Sequence, residues 1–169
     1  MLFRSQRKKV EDLVKKAITS IGIANGASHT EVIIDNNGEP FLVEIGARAG
    51  GGHLFNTIVY QNTGVNYPQE FAKILCNDNP NLNITKNIGV VYRFFNPPVG
   101  VIKDIIISSK IDNLPYVISY GLTAKKGDTF IGLKDSLHRV GFLVTIGNTR
   151  EEAIENANYA ESLIQFVME

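Results

Sequence analysis

With 169 residues, the chain is long enough for one domain with a proper core or for two small ones. Seventeen basic and seventeen acidic residues cancel, so no global charge field points to nucleic acid or an anionic membrane surface. At 44% hydrophobic, with no apolar run near the roughly 20 residues a membrane span needs, the composition is that of a soluble globular protein; one cysteine, Cys76, excludes an internal disulfide and suits a reducing, cytoplasmic setting.

Met1-Leu2-Phe3 runs straight into the charge cluster Arg4-Ser-Gln-Arg7-Lys8-Lys9, which is not how a secretory signal begins. The cluster reads as the solvated start of a helix. Val10, Leu13, Val14, Ala17, Ile18 and Ile21 form its apolar stripe at spacings of three and four, and Gly22 stops it. Glu31–Asp35 and Phe41–Ile45 then predict two strands around Asn36-Asn37-Gly38-Glu39, a strong hairpin signal. A helix is expected from His53 to Gln61, ended by Gly64, and another after Pro68 carrying Phe71, Ile74 and Leu75. Cys76 falls near the end of that stripe and is expected in the core. The polar, turn-rich Asn77–Asn83 is the best boundary, giving units 1–78 and 79–169. Beyond it come short strands at Ile88–Phe95, Val99–Ser108, Pro115–Tyr120, Thr129–Ile131 and Arg139–Ile146. A last helix starts at a capping box, Thr149 to Glu152, and its stripe is expected to run through Ala153, Ile154, Ala157, Ala160, Leu163, Ile164 and Val167. The fold class is α+β: an antiparallel sheet with packed helices, then a small β-rich domain closed by a helix.

The hairpin carries a sharper expectation. If Asn37-Gly38 are the central residues of a type I′ turn, counting outward puts Glu31 directly opposite Glu44 in a non-hydrogen-bonded pair, with Cα atoms about 4.5 Å apart. Side-chain alternation then groups Glu31, Ile33, Leu42 and Glu44 on one face, and Val32, Ile34, Phe41, Val43 and Ile45 on an apolar core face. If the strand continues, Gly46 and Arg48 join the glutamates. Like charges directly opposed destabilise a sheet. A divalent cation between them reverses the sign, and oxygen ligands suit Mg²⁺ or Mn²⁺. The run Gly50-Gly51-Gly52 lets backbone N–H groups approach an anion. An exposed sheet face with scattered charge is the plain alternative. His29, His53 and His138 are too scattered for a zinc site, with His29 expected as a partly exposed loop histidine and His138 as structural or at the surface. No serine sits in a nucleophile elbow.

These residues resemble the C-terminal part of the ATP-grasp ligase fold. Gly26-Ala-Ser-His29-Thr-Glu31-Val and Val43-Glu44-Ile-Gly-Ala-Arg48-Ala-Gly-Gly-Gly are similar to the two halves of that family's metal and phosphate site. The branch they look most like contains L-amino acid ligases and carbamoyl phosphate synthetase-like or biotin carboxylase-like relatives. The segment from about Gly89, with Arg139-Val-Gly141 and Gly147-x-Thr149-x-Glu-Glu152-Ala, resembles that branch's small C-terminal domain. The resemblance implies an ATP-dependent carboxylate–amine ligase working through an acyl phosphate. Glu31 and Glu44 would hold Mg²⁺ (or Mn²⁺), Arg48 would neutralise the transferring phosphoryl group, and Gly51 and Gly52 would meet the substrate. His53, just after the glycines, could touch substrate or phosphate, or serve as a polar residue at a helix start. ATP and small carboxylate and amine substrates are the implied ligands. Gly46 departs from the family, standing where many members have a metal-binding Asn. The lobes that grip the nucleotide have no counterpart, so the chain is expected to be a fragment, inactive alone and partnered by those N-terminal lobes of the same protein. A non-catalytic binding or assembly module is the alternative. The oligomeric state is open, a homodimer included.

Overall fold

The computed structural model describes residues 4–169; Met1-Leu2-Phe3, where the signal-sequence expectation rests, lies outside the described residues. The chain divides into two compact units, residues 1–60 with 65–83, and residues 61–64 with 84–169. Both are mixed α and β, and among the described residues every strand pairing is antiparallel, so the fold class is α+β.

In the first unit, helix α1 (Arg4–Ser20) packs on the hairpin β1 (His29–Ile34) and β2 (Pro40–Gly46). Its basic start is a solvated face, as expected: Arg7 reaches Glu11 at 2.9 Å and Lys8 reaches Asp12 at 3.8 Å, each one turn ahead. Gly22, at φ +74°, donates its N–H to Thr19, and Ile23 donates to Ile18. That is a Schellman stop, and it leaves Ile21 exposed rather than on the stripe.

The hairpin turn differs from expectation. Among the described residues only Gly38, at φ +82°, is left-handed in this turn; Asn37 is not, so the type I′ turn does not form. Instead Asp35 closes a three-residue loop. Its N–H donates to Glu39 O at 2.9 Å, its carbonyl accepts from Gly38, and its carboxylate accepts the N–H groups of Asn37 and Glu39 at 2.9 and 2.8 Å. Those N–H donors, Glu39 foremost, hold the Asp35 carboxyl below its usual pKa. The ladder therefore starts one residue off: Ile34 faces Pro40, Ile33 faces Phe41 and Val32 faces Leu42. A bulge then absorbs Val43, and Glu31 faces Glu44 after all.

The bulge also redistributes the faces. Phe41 lies with Ile33 on the glutamates' side, and Leu42 moves to the side of Val32 and Ile45. Ile33 and Phe41 are 61% and 57% exposed, so Phe41 is not a core residue.

After the glycines comes a π-helical segment, Leu54–Ile58, then α2 (Val59–Thr63), which Gly64 ends, and α3 (Tyr67–Leu75). Asn66 caps α3 through the N–H of Gln69, and Pro68 sits in its first turn. Phe55 meets Tyr67 and Phe71 edge to face, at 6.4 and 6.1 Å, fixing the π-helical segment to α3. Cys76 follows the last turn and is exposed, contrary to its expected place in the core.

The second unit holds two three-stranded antiparallel sheets. One has the order β3 (Gly89–Phe94), β7 (Gly141–Gly147), β5 (Val117–Leu122); the other has β6 (Thr129–Phe130), β4 (Gly100–Ile107), β8 (Ile164–Met168). Helix α4 (Arg150–Ser162) packs on β7 and β3. The core combines Phe95, Ile102, Ile111, Phe130, Leu143, Ala157 and Ile164. Ala153, Ala157 and Ala160 form the buried stripe of α4. Gly89 and Gly147 face each other beneath its N-terminus, where a Cβ on Gly147 would stand 2.4 Å from Ala153 N. The capping box forms with a shift: Thr149 Oγ1 accepts from Glu152 N–H at 3.1 Å, but Glu152 reaches back to the N–H of Asn148, at 2.7 Å.

The final helix is shorter than expected. It ends at Ser162, and Ile164–Met168 pairs with β4 instead. Ile164, Phe166 and Met168 pack against the core while Gln165 is exposed, so a period of two wins over the helical stripe. Phe166 closes on Phe95, ring centroids 5.8 Å apart.

Candidate functional site

The exposed end of the hairpin gathers four charged or ionisable side chains. Glu31 and Glu44 are direct cross-strand partners, and both are more than half exposed. Each already has a neighbour. Arg48 Nη2 donates to Glu44 Oε1 at 3.0 Å, and His29 Nε2 lies 3.4 Å from Glu31 Oε1. His29 is the first residue of β1, not a loop residue, and shares the glutamates' face by alternation. Among the described residues no group of three or more His, Cys, Asp or Glu converges as a metal cluster.

The glycine run has separate local reasons. At Gly50 a Cβ would fall 2.7 Å from Leu54 Cδ2 and 3.2 Å from His29 Nδ1, so any side chain there would have to push Leu54 aside. Gly52 adopts φ +63°, a left-handed turn into the π-helical segment. Gly51 meets nothing within 4 Å and is exposed, so no contact within the chain explains it. His53 is the residue before the π-helical segment, and its carbonyl accepts from Thr57 and Ile58 at 3.0 and 2.9 Å. The wide helical turn this creates is a frequent feature of functional sites. The structure thus joins Glu31, Glu44 and Arg48 directly, and carries Gly51, Gly52 and His53 on the turn that follows.

Behind the loop lies a cavity of about 300 Å³ lined by His29, Gly50, Phe55, Tyr67, Phe71 and Leu82 among others. Glu70 also lines it, although it is buried. Lys73 donates to both of its oxygens at 3.0 Å, and the N–H of Asn81 donates to Oε2. Asn81 first, then Lys73, keeps the Glu70 carboxyl below its usual pKa. Sequence reasoning passes over Glu70, though Lys73 at i+3 on a predicted helix is an available signal. In the second unit, His138 pairs with Asp135 at 2.8 Å and is partly exposed, a surface residue with a local partner.

Residues 93–169 match the family model for L-amino acid ligase C-terminal domain 2. Over 76 residues the chain is 33% identical to an alanine–anticapsin ligase of Bacillus subtilis, a match covering 45% of this chain and 16% of that protein. The whole chain superposes on the crystal structure of an L-amino acid ligase from Bacillus licheniformis, with TM-score 0.81 at 20% identity. A phosphoribosylglycinamide synthetase from Anaerococcus prevotii follows, with TM-score 0.80 at 19% identity over 99% of the chain. The chain has the C-terminal part of the ATP-grasp ligase fold. The chain spans 42% and 43% of the two solved enzymes, less than half of either. The resemblance read from Glu31, Glu44 and the glycine run therefore holds at the level of fold. Among the described residues, no helix is long and apolar enough to cross a membrane.

Proposed function

We propose that this chain is the metal and substrate side of an ATP-dependent carboxylate–amine ligase that works through an acyl phosphate. One observation carries the reading: Glu31 and Glu44 face each other at a wet strand end, with Arg48 on Glu44 and the glycine turn directly after. Two opposed carboxylates are a cost that a hard cation relieves. Mg²⁺ is commonly held by one or two carboxylates plus substrate phosphates, and Glu31 and Glu44 could supply that pair. When bound, the cation would neutralise phosphate charge. Arg48 would bind and orient the phosphoryl oxygens as a bidentate donor. Gly51 and Gly52 would offer N–H groups to the substrate carboxylate, with His53 beside them. The names of the relatives, an alanine–anticapsin ligase and an L-amino acid ligase, favour amino-acid substrates on at least one side of the bond.

The chain is read as a fragment that depends on a nucleotide-gripping lobe, in the cytoplasm, and the isolated 169 residues should hydrolyse no ATP above background. Mn²⁺ titration followed by electron paramagnetic resonance tests the site. Binding should fall at least about tenfold in Glu31→Gln and in Glu44→Gln, as expected for loss of a direct ligand. Binding that neither substitution weakens would sink the reading. The second reading, a non-catalytic binding or assembly module, is favoured by Gly46 and by Arg48 already sitting on Glu44; Mn²⁺ binding undetectable in the wild type and in Arg48→Met alike would select it.

A further inference from the structure

We infer that Arg48, given room by Gly46, is a built-in counter-ion that competes with a divalent cation for Glu44, so that metal loading weakens the arginine's hold. This rests on Glu44 being a metal ligand, as proposed above.

The geometry is local and complete. Arg48 stands four residues after Glu44, beyond the end of β2, and turns back to donate to Oε1 at 3.0 Å. Its other arm, Nη1, donates to Ala49 O at 3.1 Å, so the guanidinium is fixed at both ends by its own segment. The path back runs over the α-carbon of Gly46. A Cβ there would lie 3.2 Å from Arg48 Cγ and 3.3 Å from Nε, tighter than side chains normally pack. A side chain at position 46 would crowd this path, and Arg48 would have to shift by a few tenths of an ångström to keep it. The departure noted at Gly46 therefore has a consequence beyond a lost ligand. The same substitution that removes a side-chain donor opens the path for Arg48.

The pair is also weak enough to be exchanged. Both partners are more than half exposed, and exposed pairs of this kind contribute little or nothing measurable. A cation on the same carboxylate would meet a positive charge within a few ångströms. Like charges so close repel, so cation and guanidinium compete for Glu44 even if the metal takes Oε2, and whatever the arginine costs the metal, the metal costs the arginine. In the metal-free protein the arginine screens one of two opposed carboxylates; once displaced, its donors are free for an incoming anionic oxygen. An arginine fork suits a phosphoryl or carboxylate group better than a point charge does. Gly46 is a positioning residue acting through Arg48.

The test uses Mn²⁺ affinity of the 169-residue chain, read by electron paramagnetic resonance, with circular dichroism melts to establish folding. Arg48→Met keeps the stem and removes the charge. It should tighten Mn²⁺ about 3- to 10-fold, the range set by losing one exposed pair and one nearby cation. Gly46→Ala should tighten it by less. In the Arg48→Met background, Gly46→Ala should change nothing, because its effect passes through the arginine. Binding seen in Arg48→Met and not in the wild type would support the inference outright. If wild-type binding depends on Glu44 and Arg48→Met leaves it unchanged or weaker, the counter-ion idea fails while the metal site survives. If neither the wild type nor Arg48→Met binds Mn²⁺, both fall.

Discussion

The hairpin β1–β2 and the sheet β3–β7–β5 are built from similar strands and put to opposite uses. In the second, Leu143 and Val144 are fully buried and α4 sits on an opposed glycine pair so closely that no side chain fits between. In the first, Ile33 and Phe41 stay mostly exposed, and beside them two like charges face each other. A strand pair selected for stability alone would bury the first two and separate the second. The difference marks where packing is optimised and where exposed apolar and opposed charged groups are tolerated.

That contrast can be broken by measurement. Leu143→Ala should lower the unfolding free energy by about 3 kcal/mol, since a fully buried leucine leaves a cavity, while Ile33→Ala should change it by under about 0.5 kcal/mol. Urea unfolding followed by circular dichroism decides; similar losses would mean the hairpin is as tightly packed as the sheet. Thr149→Ala removes the cap of α4 and should cost about 1 kcal/mol in the same assay, with no effect on Mn²⁺ binding. Glu70→Gln sharpens the comparison within the first unit. Glu70 titrates below its ordinary 4.5 because Asn81 and Lys73 favour its charged form. The unfolded chain therefore takes up the proton first, so the stabilisation is whole above about pH 4.5 and is lost as the pH falls through the lower folded value. The Tm advantage of the wild type over Glu70→Gln should thus shrink below about pH 4.5; parallel Tm curves down to about pH 3 would show that Glu70 contributes nothing through its charge.

Local signals are legible where one principle acts alone. The stripe from Val10 to Ile18, the stop at Gly22, Pro68 and Thr149 each need only short-range chemistry, and each element forms. Expectations fail where tertiary partners compete. Ile164 and Val167 fit a helical stripe, but β4 offers an edge, and Ile164, Phe166 and Met168 fit that edge better. Cys76 falls one residue past the end of α3, a boundary too fine for periodicity to place. The facing glutamates follow from counting out of a turn that does not form: Asp35, through its own side chain, selects a three-residue loop, and the bulge cancels the offset. No sequence pattern announces a bulge without glycine. Glu70 and the cavity escape a reading of the sequence because both need α3 and Asn81 brought together.

The bulge has one more consequence. β2 has seven residues and β1 six, and the surplus one is Val43. Every other pair, from Ile34–Pro40 to His29–Gly46, would be consecutive without it. The hairpin thus carries a spare residue at the junction between its tip and its charged base. The spare residue lets the tip pair one step out of phase with the charged base while Glu31 and Glu44 stay opposite one another.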